Sequence, residues 1–512
     1  MKRTCSLLLI LCCLICLNGC AHREKTEKTP AATLPPAETR YLAPDGDAMP
    51  AEEETYSLFL PGRNGMYLIA QPVTIRTETI NETLEILLSE LLGFTGNSQL
   101  CSLGGNTVLT LYGDDPIELS GGICTVNLAP SAFQLDNDDF YTASLAITAT
   151  LCELDAVNSV NILVANQSVG MDITGSLPMG TLTARPGENL SVLWEQMEAK
   201  RTPVGSDMSG TPLVTAATLY FPLNDGNGIA CEKRTITFEG QTPQQMAAGL
   251  ITALSDGCMY LTEAPDMPDL RTLMLHEPLT SELDDGGRLI TVSFRENVEE
   301  ELRNMHIDPA CLIASVACTL STFIPGAPAV CVRIGETPIT TLNGEKLAVD
   351  TVLGGLLERD DLKPFLMERI NVYYEQDGML APCEKTVNRR LTDSPREHLT
   401  ALLDGPGSAA SEQGMHATLP DTLTEEDILG VTREGDTLLV NLSDRFRTEI
   451  RTFGKEHEML LCYSMVNTLC ENNGTRRVCF FFEGTQVETI AGAVYWAGEF
   501  CRNPGLEEQS YG

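Results

Sequence analysis

The chain has 512 residues, of which 43% are hydrophobic, so it is too long for a single core and long enough for three ordinary domains. Lysine and arginine number 34 against 71 aspartates and glutamates, which gives a formal charge of -37. A field of that sign repels phosphate backbones and anionic lipid headgroups, which argues against nucleic acid as a partner.

The amino terminus predicts export. Lys2 and Arg3 precede an apolar run at 7–17, which is too short for a stable membrane span and is typical of a secretory signal. The run ends in Leu-Asn-Gly before Cys20, and small residues before a cysteine resemble a bacterial lipobox. We therefore predict a lipoprotein signal peptide at 1–19 and acylation, such as palmitoylation, of Cys20, which would hold the protein on the outer face of the cytoplasmic membrane. An ordinary signal with a chance cysteine is the alternative.

Residues 20–54 combine five prolines with charged and small residues. This composition cannot bury a core, so we predict a disordered tether. Of the 18 cysteines, four lie in the signal and one is Cys20, which leaves thirteen. An odd number without framework spacing argues against a disulfide scaffold, and most of the thirteen are predicted to be free, buried thiols.

Three similar units follow, predicted at 55–205, 206–366 and 367–512. Each has two extended segments, a helix that ends near a glycine, a strand, a long helix and a valine-led strand. The predicted strand faces are Leu438, Val440 and Leu442; Ile290, Val292 and Phe294; and Cys124, Val126 and Leu128. The predicted helix rows are Leu461, Met465 and Leu469; Leu312, Val316 and Leu320; and Ala143, Ile147 and Leu151. The spacing of the units is far above solenoid periods, so the sequence predicts three tandem α+β domains, each a small mixed sheet with helices on one face.

The third unit resembles a known family. Its motifs are Leu402-Leu403-Asp404-Gly405-Pro406, then 438–443, then Val466-Asn467-Thr468-Leu469 and 477–484. This order resembles the GerM domain of sporulation and spore-germination lipoproteins. The first two units keep the strand and helix patterns but lack the Leu-Leu-x-Gly-Pro motif, so they are interpreted as divergent copies. The resemblance implies an exported, lipid-anchored envelope protein whose partners are envelope or sporulation-complex proteins.

No constellation of catalytic residues is found. Five histidines beyond the tether are scattered without metal-ligand spacing, and His457-Glu458 lacks the second histidine of a zinc-protease helix. The acidic run 136–139 is interpreted as a solvated loop, and 425–427 as a capped helical turn. The repeated threonines Thr150, Thr319 and Thr468 are interpreted as packing residues whose hydroxyl bonds the carbonyl four residues back.

The predicted function is therefore non-catalytic, with no cofactor, no metal and no catalytic residue. We expect a lipid-anchored envelope protein that acts through protein contacts, plausibly in sporulation or spore germination. The alternative is an extracytoplasmic binding module for cell-wall glycan or a small solute, with sites in clefts. Phe480, Phe481 and Phe482 predict a central strand that is buried on both faces. Neither the partner nor the oligomeric state follows from the sequence.

Overall fold

Three stretches of the chain repeat one order of strands and helices. The computed structural model describes residues 46–49, 51–171, 177–200, 208–226, 228–261, 263–283, 287–350 and 354–507. In each stretch, a hairpin and a helix precede a sheet whose inner strand pairs antiparallel with one neighbour and parallel with the next. A long helix joins the two parallel strands, because parallel neighbours need a crossover connection. The fold is therefore α+β with several small units, as the sequence predicted.

The first unit begins with its hairpin and ends with a short helix. Its elements are β1 (Glu52–Pro61), β2 (Leu68–Thr77), α1 (Ile80–Gly93), β3 (Ile117–Ser120), β4 (Ile123–Leu128), α2 (Asn137–Leu151), β5 (Ser159–Val164), β6 (Gln167–Ser168) and α3 (Leu190–Glu198). The sheet has the order β3-β4-β5-β6. Helix α2 has Asp136 as its N-cap and two acids in its first turn. The predicted solvated loop at 136–139 is therefore wrong, because these carboxylates lie at the positive end of a helix dipole.

The second unit has a six-stranded sheet. Its elements are β7 (Leu213–Pro222), β8 (Ile229–Phe238), α4 (Pro243–Ser255), α5 (Leu270–Leu273), β9 (Leu279–Glu282), β10 (Arg288–Phe294), α6 (Val298–Asn304), α7 (Pro309–Phe323), β11 (Ala329–Ile334), β12 (Thr337–Pro338), β13 (Thr341–Leu342), β14 (Glu345–Lys346), β15 (Ala348–Asp350), β16 (Gly354–Glu358) and α8 (Arg359–Leu362). The main path of its sheet is β15-β16-β11-β10-β9. Strand β9 therefore ends that path.

The third unit has a three-stranded sheet with the order β19-β20-β21. Its elements are β17 (Met367–Gln376), β18 (Met379–Asn388), α9 (Pro395–Leu403), α10 (Gly407–Glu412), β19 (Ile428–Glu434), β20 (Thr437–Leu442), α11 (Asp444–Phe453), α12 (Lys455–Asn473) and β21 (Arg477–Phe482). Phe480, Phe481 and Phe482 are buried on both faces of β21, as predicted. The prediction that β21 is central is wrong, because β21 ends the sheet and the tail covers its outer edge through a bridge between Val478 and Phe500.

The first helix of each unit starts and stops through local chemistry. Thr79, Thr242 and Ser394 each accept a hydrogen bond from a backbone N–H three residues later. This capping satisfies one of the unpaired donors of the helix amino terminus. Gly257 and Gly405 follow α4 and α9 with φ of 79° and 77°, the left-handed conformation that favours glycine after a helix. The first unit differs, since Gly93 is the last helical residue.

The apolar rows predicted from the sequence form the cores. All eighteen side chains of the three strand faces and three helix rows have no exposed surface. The buried residues between Leu58 and Leu366 form one continuous cluster, so the first two units share a core. The third unit has a cluster of its own, from Ile370 to Phe500. The described residues from 46 onwards nevertheless form one compact unit, and the exact boundaries between the three units stay predictions.

Part of the predicted tether is ordered. Strand β1 starts at Glu52, and residues 46–49 lie against β19. The prediction of disorder is therefore wrong for the end of 20–54, because a strand edge can hold a segment through its backbone without apolar side chains. The rest of that segment lies outside the described residues, as does the predicted signal peptide. In the described part of the chain, no single helix meets the length and hydropathy expected of a membrane span, and one bent pair, Val298–Asn304 with Pro309–Phe323, meets them only together.

Candidate functional site

The repeated threonines join each long helix to the hairpin of its own unit. All three are fully buried, and their hydroxyl oxygens accept a backbone N–H from the first strand. The pairs are Phe59 to Thr150 at 2.9 Å, Tyr220 to Thr319 at 3.0 Å and Tyr373 to Thr468 at 3.1 Å. The outer edge of the hairpin strand would otherwise leave that N–H without a partner. The repeated contact is thus a bond between helix and hairpin, not the helix-internal bond that the sequence suggests.

The histidines do not converge on one site. His398 is fully buried in the third unit, while His276, His306, His416 and His457 lie apart from it in the chain. The Nε2 atom of His398 lies 2.7 Å from the carbonyl of Thr392, and Nδ1 lies 3.0 Å from the Asn473 amide nitrogen. Burial lowers the pKa of His398 to about 4, so the ring is neutral at physiological pH. Among the described residues, no group of three His, Cys, Asp or Glu side chains could hold a metal ion.

Glu458 holds the carboxyl-terminal tail of the third unit. Its carboxylate accepts hydrogen bonds from the indole of Trp496 at 2.8 Å and from the backbone N–H of Ala491 and Ala493 at 2.9 and 2.6 Å. Burial alone would raise the pKa of Glu458, but these donors outweigh it and hold the pKa below its usual value. Glu458, the glutamate of the incomplete zinc-protease motif, is therefore a structural anchor.

The thirteen cysteines that follow the lipobox form no disulfide within the described chain, and nine of them are buried. Burial raises the pKa of Cys318 and of Cys470 to about 11. A thiol is nucleophilic only as the thiolate, so these cysteines are poorly suited to catalysis.

A buried ion pair joins the first two units to the segment that leads into the third. Arg359 of α8 is 3% exposed and Glu118 of β3 is 5% exposed. The guanidinium donates from Nε to both carboxylate oxygens at 3.0 Å and from Nη1 to Thr322 at 2.6 Å. It also lies 5.7 Å from the ring centre of Tyr220, a cation–π distance. One side chain therefore contacts β3, β7 and α7.

The first and third units also meet directly. Asp115, just before β3, accepts hydrogen bonds from Arg389 and, at 2.9 Å, from Arg390. Burial would raise the pKa of Asp115, but the two guanidinium groups lower it further than burial raises it. A second contact joins the same two units: the carboxylate of Asp393 in the third unit accepts the Ile80 N–H of the first unit at 2.8 Å. The three units are thus packed against one another, not strung along a flexible chain.

Residues 46–49, which we call the strap, add an extra parallel strand to the edge of β19. Ala48 donates its N–H to the carbonyl of Val431 at 3.0 Å and accepts the N–H of Arg433 at 2.8 Å. The carboxylate of Asp47 receives two bonds from Arg396, at 2.8 and 3.1 Å, and one from the Val431 N–H at 2.8 Å. A side chain at Gly430 would lie 2.6 Å from the strap carbonyl of residue 46, so only glycine permits this approach.

The strap is held mainly through its backbone and one carboxylate. The side chains of Asp47 and Arg396 are 38% and 28% exposed, and an ion pair with that exposure contributes about 0–1 kcal/mol. The hydrogen bond to Asp47 raises the pKa of Arg396 above its usual value. Met49 is half-buried and packs against the core of the third unit. The contact closes the exposed edge of β19, which would otherwise be open to pairing with another chain.

The second unit contains an open cleft of about 880 Å³. Its walls are β8, the helix α4 and the segment 271–278 that leads into β9. Guanidinium groups of Arg234, Arg271 and Arg295 line it together with the carboxylates of Glu239, Asp256 and Glu277 and the imidazole of His276. The volume falls within the usual range for ligand pockets, about 300–1,000 Å³. The polar lining makes this cleft the candidate binding site of the molecule.

Cys20, the predicted lipid attachment site, lies outside the described residues, so its acylation stays a prediction. The residues that build the joints between units were missed by sequence reasoning. Arg359 and Glu118 are 241 positions apart, and Asp47 and Arg396 are 349 apart. Neither pair belongs to a periodic pattern or a motif, so no signal in a single sequence marks them.

One protein family matches a stretch of the third unit. Residues 371–488 match the family described as "Germane: Sporulation and spore germination". This stretch contains the strand, helix and strand motifs that suggested the resemblance, so the predicted resemblance of the third unit to this family is confirmed. A comparison with curated proteins finds no match.

Two solved structures are similar to the chain. The tandem GerMN domains of the sporulation protein GerM from Bacillus subtilis are 15% identical, cover 60% of this chain and 97% of that chain, and give a TM-score of 0.22. The first GerMN domain of the same protein is 17% identical, covers 27% of this chain and 97% of that chain, and gives a TM-score of 0.18.

Proposed function

We propose that this chain is a non-catalytic, lipid-anchored protein of the cell envelope that acts through contacts with other proteins in sporulation or spore germination. The observation that carries the proposal is the Germane match of residues 371–488. The lipobox-like sequence before Cys20 supports a lipid anchor on the outer face of the cytoplasmic membrane. Three units of one fold on a single anchor offer several surfaces to an envelope partner.

The buried polar groups support a non-catalytic role. Glu458 is fully used by four donors of the tail, and His398 is neutral and enclosed. Arg359 and Glu118 satisfy each other out of contact with solvent. General acid–base catalysis needs a titratable group that can reach a substrate with a pKa near the working pH. These groups serve to join parts of the chain instead.

Cross-linking in the native cell tests the proposal. The tagged full chain is cross-linked in the membrane fraction and purified, and its partners are identified by mass spectrometry. We expect a specific envelope protein to be recovered. Turnover of peptidoglycan or of a peptide by the purified chain would contradict the non-catalytic assignment.

The anchor is tested separately by Cys20→Ala. We expect this variant to leave the membrane fraction and to lose the cross-linked partner, because no second membrane attachment is proposed. Cys152→Ala, which changes a cysteine inside the first unit, is the matched control and should stay with the membranes. A Cys20→Ala protein that stays there would count against lipidation.

The alternative function, binding of cell-wall glycan or a small solute, is favoured by one observation. The cleft of the second unit is polar and has the volume of a ligand pocket. Sedimentation of the full chain with isolated cell-wall material tests it. Retention that is lost in an Arg271→Ala variant would favour this second function.

A further inference from the structure

We propose that the cleft of the second unit is a docking groove for an extended segment of a partner protein. The segment would carry one carboxylate side chain flanked by small residues. The inference rests on the proposed function, since it assigns a site and a partner chemistry to the protein contacts. The strap on the third unit shows what such a segment looks like when it is bound. Its acidic residue, Asp47, lies between Gly46 and Ala48.

The cleft of the second unit occupies the position that corresponds to the strap-binding position of the third unit. In the third unit, Ile428 faces Leu442 and Thr432 faces Leu439 across the sheet. In the second unit, Met274 faces Phe294 and Leu279 faces Thr291 at the corresponding positions of β10. The segment 274–279 is therefore the counterpart of 428–432, the part of β19 that receives the strap.

The opposite wall of the groove also corresponds. Pro243 and Pro395 each stand at the first position of the helix after the hairpin. Gln244 in the second unit thus takes the place of Arg396, which binds Asp47 in the third. Both the segment 274–278 and Gln244 line the cleft. A segment lying there would meet the bent stretch 275–278, which lies between the paired residues Met274 and Leu279, on one side and the start of a helix on the other.

Arg271 supplies the cation that Gln244 lacks. It stands three residues before Met274, as Glu425 stands three residues before Ile428, so the positive charge has moved from the start of the helix after the hairpin to the facing short helix α5. Its present partner is Asp269, at 2.9 Å, in an ion pair whose side chains are 60% and 44% exposed. Arg271 donates to both carboxylate oxygens of Asp269, but an exposed pair contributes only about 0–1 kcal/mol, so a second carboxylate can compete for the guanidinium.

Arg234 is the least available of the three arginines. Arg234 is held by Glu232 and by two backbone carbonyls, Ala253 at 2.9 Å and Gly257 at 2.7 Å. Arg295 makes a weak bond to the carbonyl of Met274 at 3.4 Å. Glu239, Asp256 and Glu277 would repel acidic side chains elsewhere along the groove. The arrangement therefore favours one carboxylate near Arg271 and small or neutral residues beside it, in an extended segment that lies along 274–278.

A fluorescent peptide tests the groove. The probe has the sequence of residues 44–51, Pro-Asp-Gly-Asp-Ala-Met-Pro-Ala, and its anisotropy is followed as full-length protein is added. We expect saturable binding that Arg271→Ala weakens by about tenfold, because a bidentate, charge-assisted pair is lost. Arg303→Ala, an exposed arginine of the same unit paired with Glu299, is the matched control and should bind unchanged. Replacing the second aspartate of the peptide by asparagine should weaken binding as Arg271→Ala does.

Several outcomes would overturn the inference. Loss of peptide binding in Arg396→Ala but not in Arg271→Ala would show that the peptide exchanges with the strap on the third unit. Displacement of the bound peptide by solubilised wall glycan would assign the cleft to the glycan. Absence of saturable binding would also overturn it. If Arg271→Ala retained the cross-linked partner, the docking groove would be contradicted. The proposed function through protein contacts would remain supported, because the partner would then bind elsewhere.

Discussion

Thr468 illustrates how one hydroxyl fixes the packing of a helix on a hairpin. Its oxygen accepts the N–H of Tyr373 at 3.1 Å, 95 residues away, in a site with no exposed surface. The same geometry recurs at Thr150 and Thr319. Threonine is suited to this place because its methyl group packs in the core while its hydroxyl satisfies a backbone donor that has left the hairpin ladder.

Replacing Thr468 by valine should destabilise the third unit by about 1–3 kcal/mol, because the Tyr373 N–H is left buried without a partner. The measurement is urea unfolding followed by the fluorescence of Trp496, in a Trp194→Phe background so that only the third unit reports. Thr468→Ser keeps the hydroxyl and should recover part of the loss. Thr448→Val removes a hydroxyl from an exposed helix surface and should change the free energy of unfolding by less than about 0.5 kcal/mol. Equal effects at 448 and 468 would contradict the assigned role.

His398 gives the third unit a defined response to acid. Its pKa in the folded protein is about 4, below the ordinary value of 6.5, because burial disfavours the charged ring. The unfolded chain therefore binds the proton more tightly than the folded chain does. Stability that depends on the neutral ring is fully present above pH 6.5 and is lost as the pH falls from 6.5 towards 4.

The expected loss over that range is about 3 kcal/mol, from the size of the pKa shift. The urea midpoint reported by Trp496 should fall as the pH is lowered, and His398→Gln should remove most of that slope. His457→Gln, which changes an exposed histidine of the neighbouring helix α12, is the control and should keep the slope of the wild-type chain. An unchanged slope in His398→Gln would assign the acid response to other groups.

At the scale of the elements, the joint between β3 and α8 depends on one buried ion pair. Arg359 contacts Glu118, Thr322 and Tyr220, and both charges are almost completely buried. Taking two charges out of water is costly, and the pair recovers that cost only while both members are present. The joint is therefore sensitive to the loss of either partner.

Arg359→Met should destabilise the first two units by about 3–5 kcal/mol, because it leaves the Glu118 carboxylate buried and unpaired. The double variant Glu118→Leu with Arg359→Met should be less destabilised than Arg359→Met alone, since it removes the orphaned charge. Urea unfolding followed by Trp194 measures both, with Trp496 replaced by phenylalanine. A double variant whose loss equals the sum of the single losses would show that the two side chains do not act as a pair.

The elements differ in how far the sequence predicts them. The strand faces and helix rows follow from apolar residues at spacings of two and of three to four, and burial is what imposes those spacings. The caps at Thr242 and Ser394 are equally local. The contacts between units are not local in sequence, because the partners of Arg359 and Asp47 are determined by the packing of whole units. The strap was missed for the same reason: a segment poor in apolar residues was interpreted as a tether, although a strand edge can hold it by its backbone.

At the scale of the whole molecule, the three repeats make two cores. The first and second units share one apolar cluster, while the third has its own and meets the others through polar contacts such as Asp115 with Arg389. The candidate cleft lies in the second unit, and the residues that match the Germane family lie in the third. We therefore expect that the third unit can unfold while the shared core of the first and second units, which supports the cleft, stays folded.

Val440→Asp tests this division, because it places an unpaired charge at a fully buried position of the third core. Trp496, buried in that core, should show red-shifted fluorescence at low urea, while Trp194 in the first unit should keep its native emission. Val292→Asp, the equivalent change in the second unit, should instead alter Trp194, because the first and second units share their core. Each variant is measured in a single-tryptophan background, with the exposed substitution Thr448→Asp as the control. Loss of both tryptophan signals in Val440→Asp would mean that the polar contacts between the units are strong enough to make the chain unfold as one cooperative body.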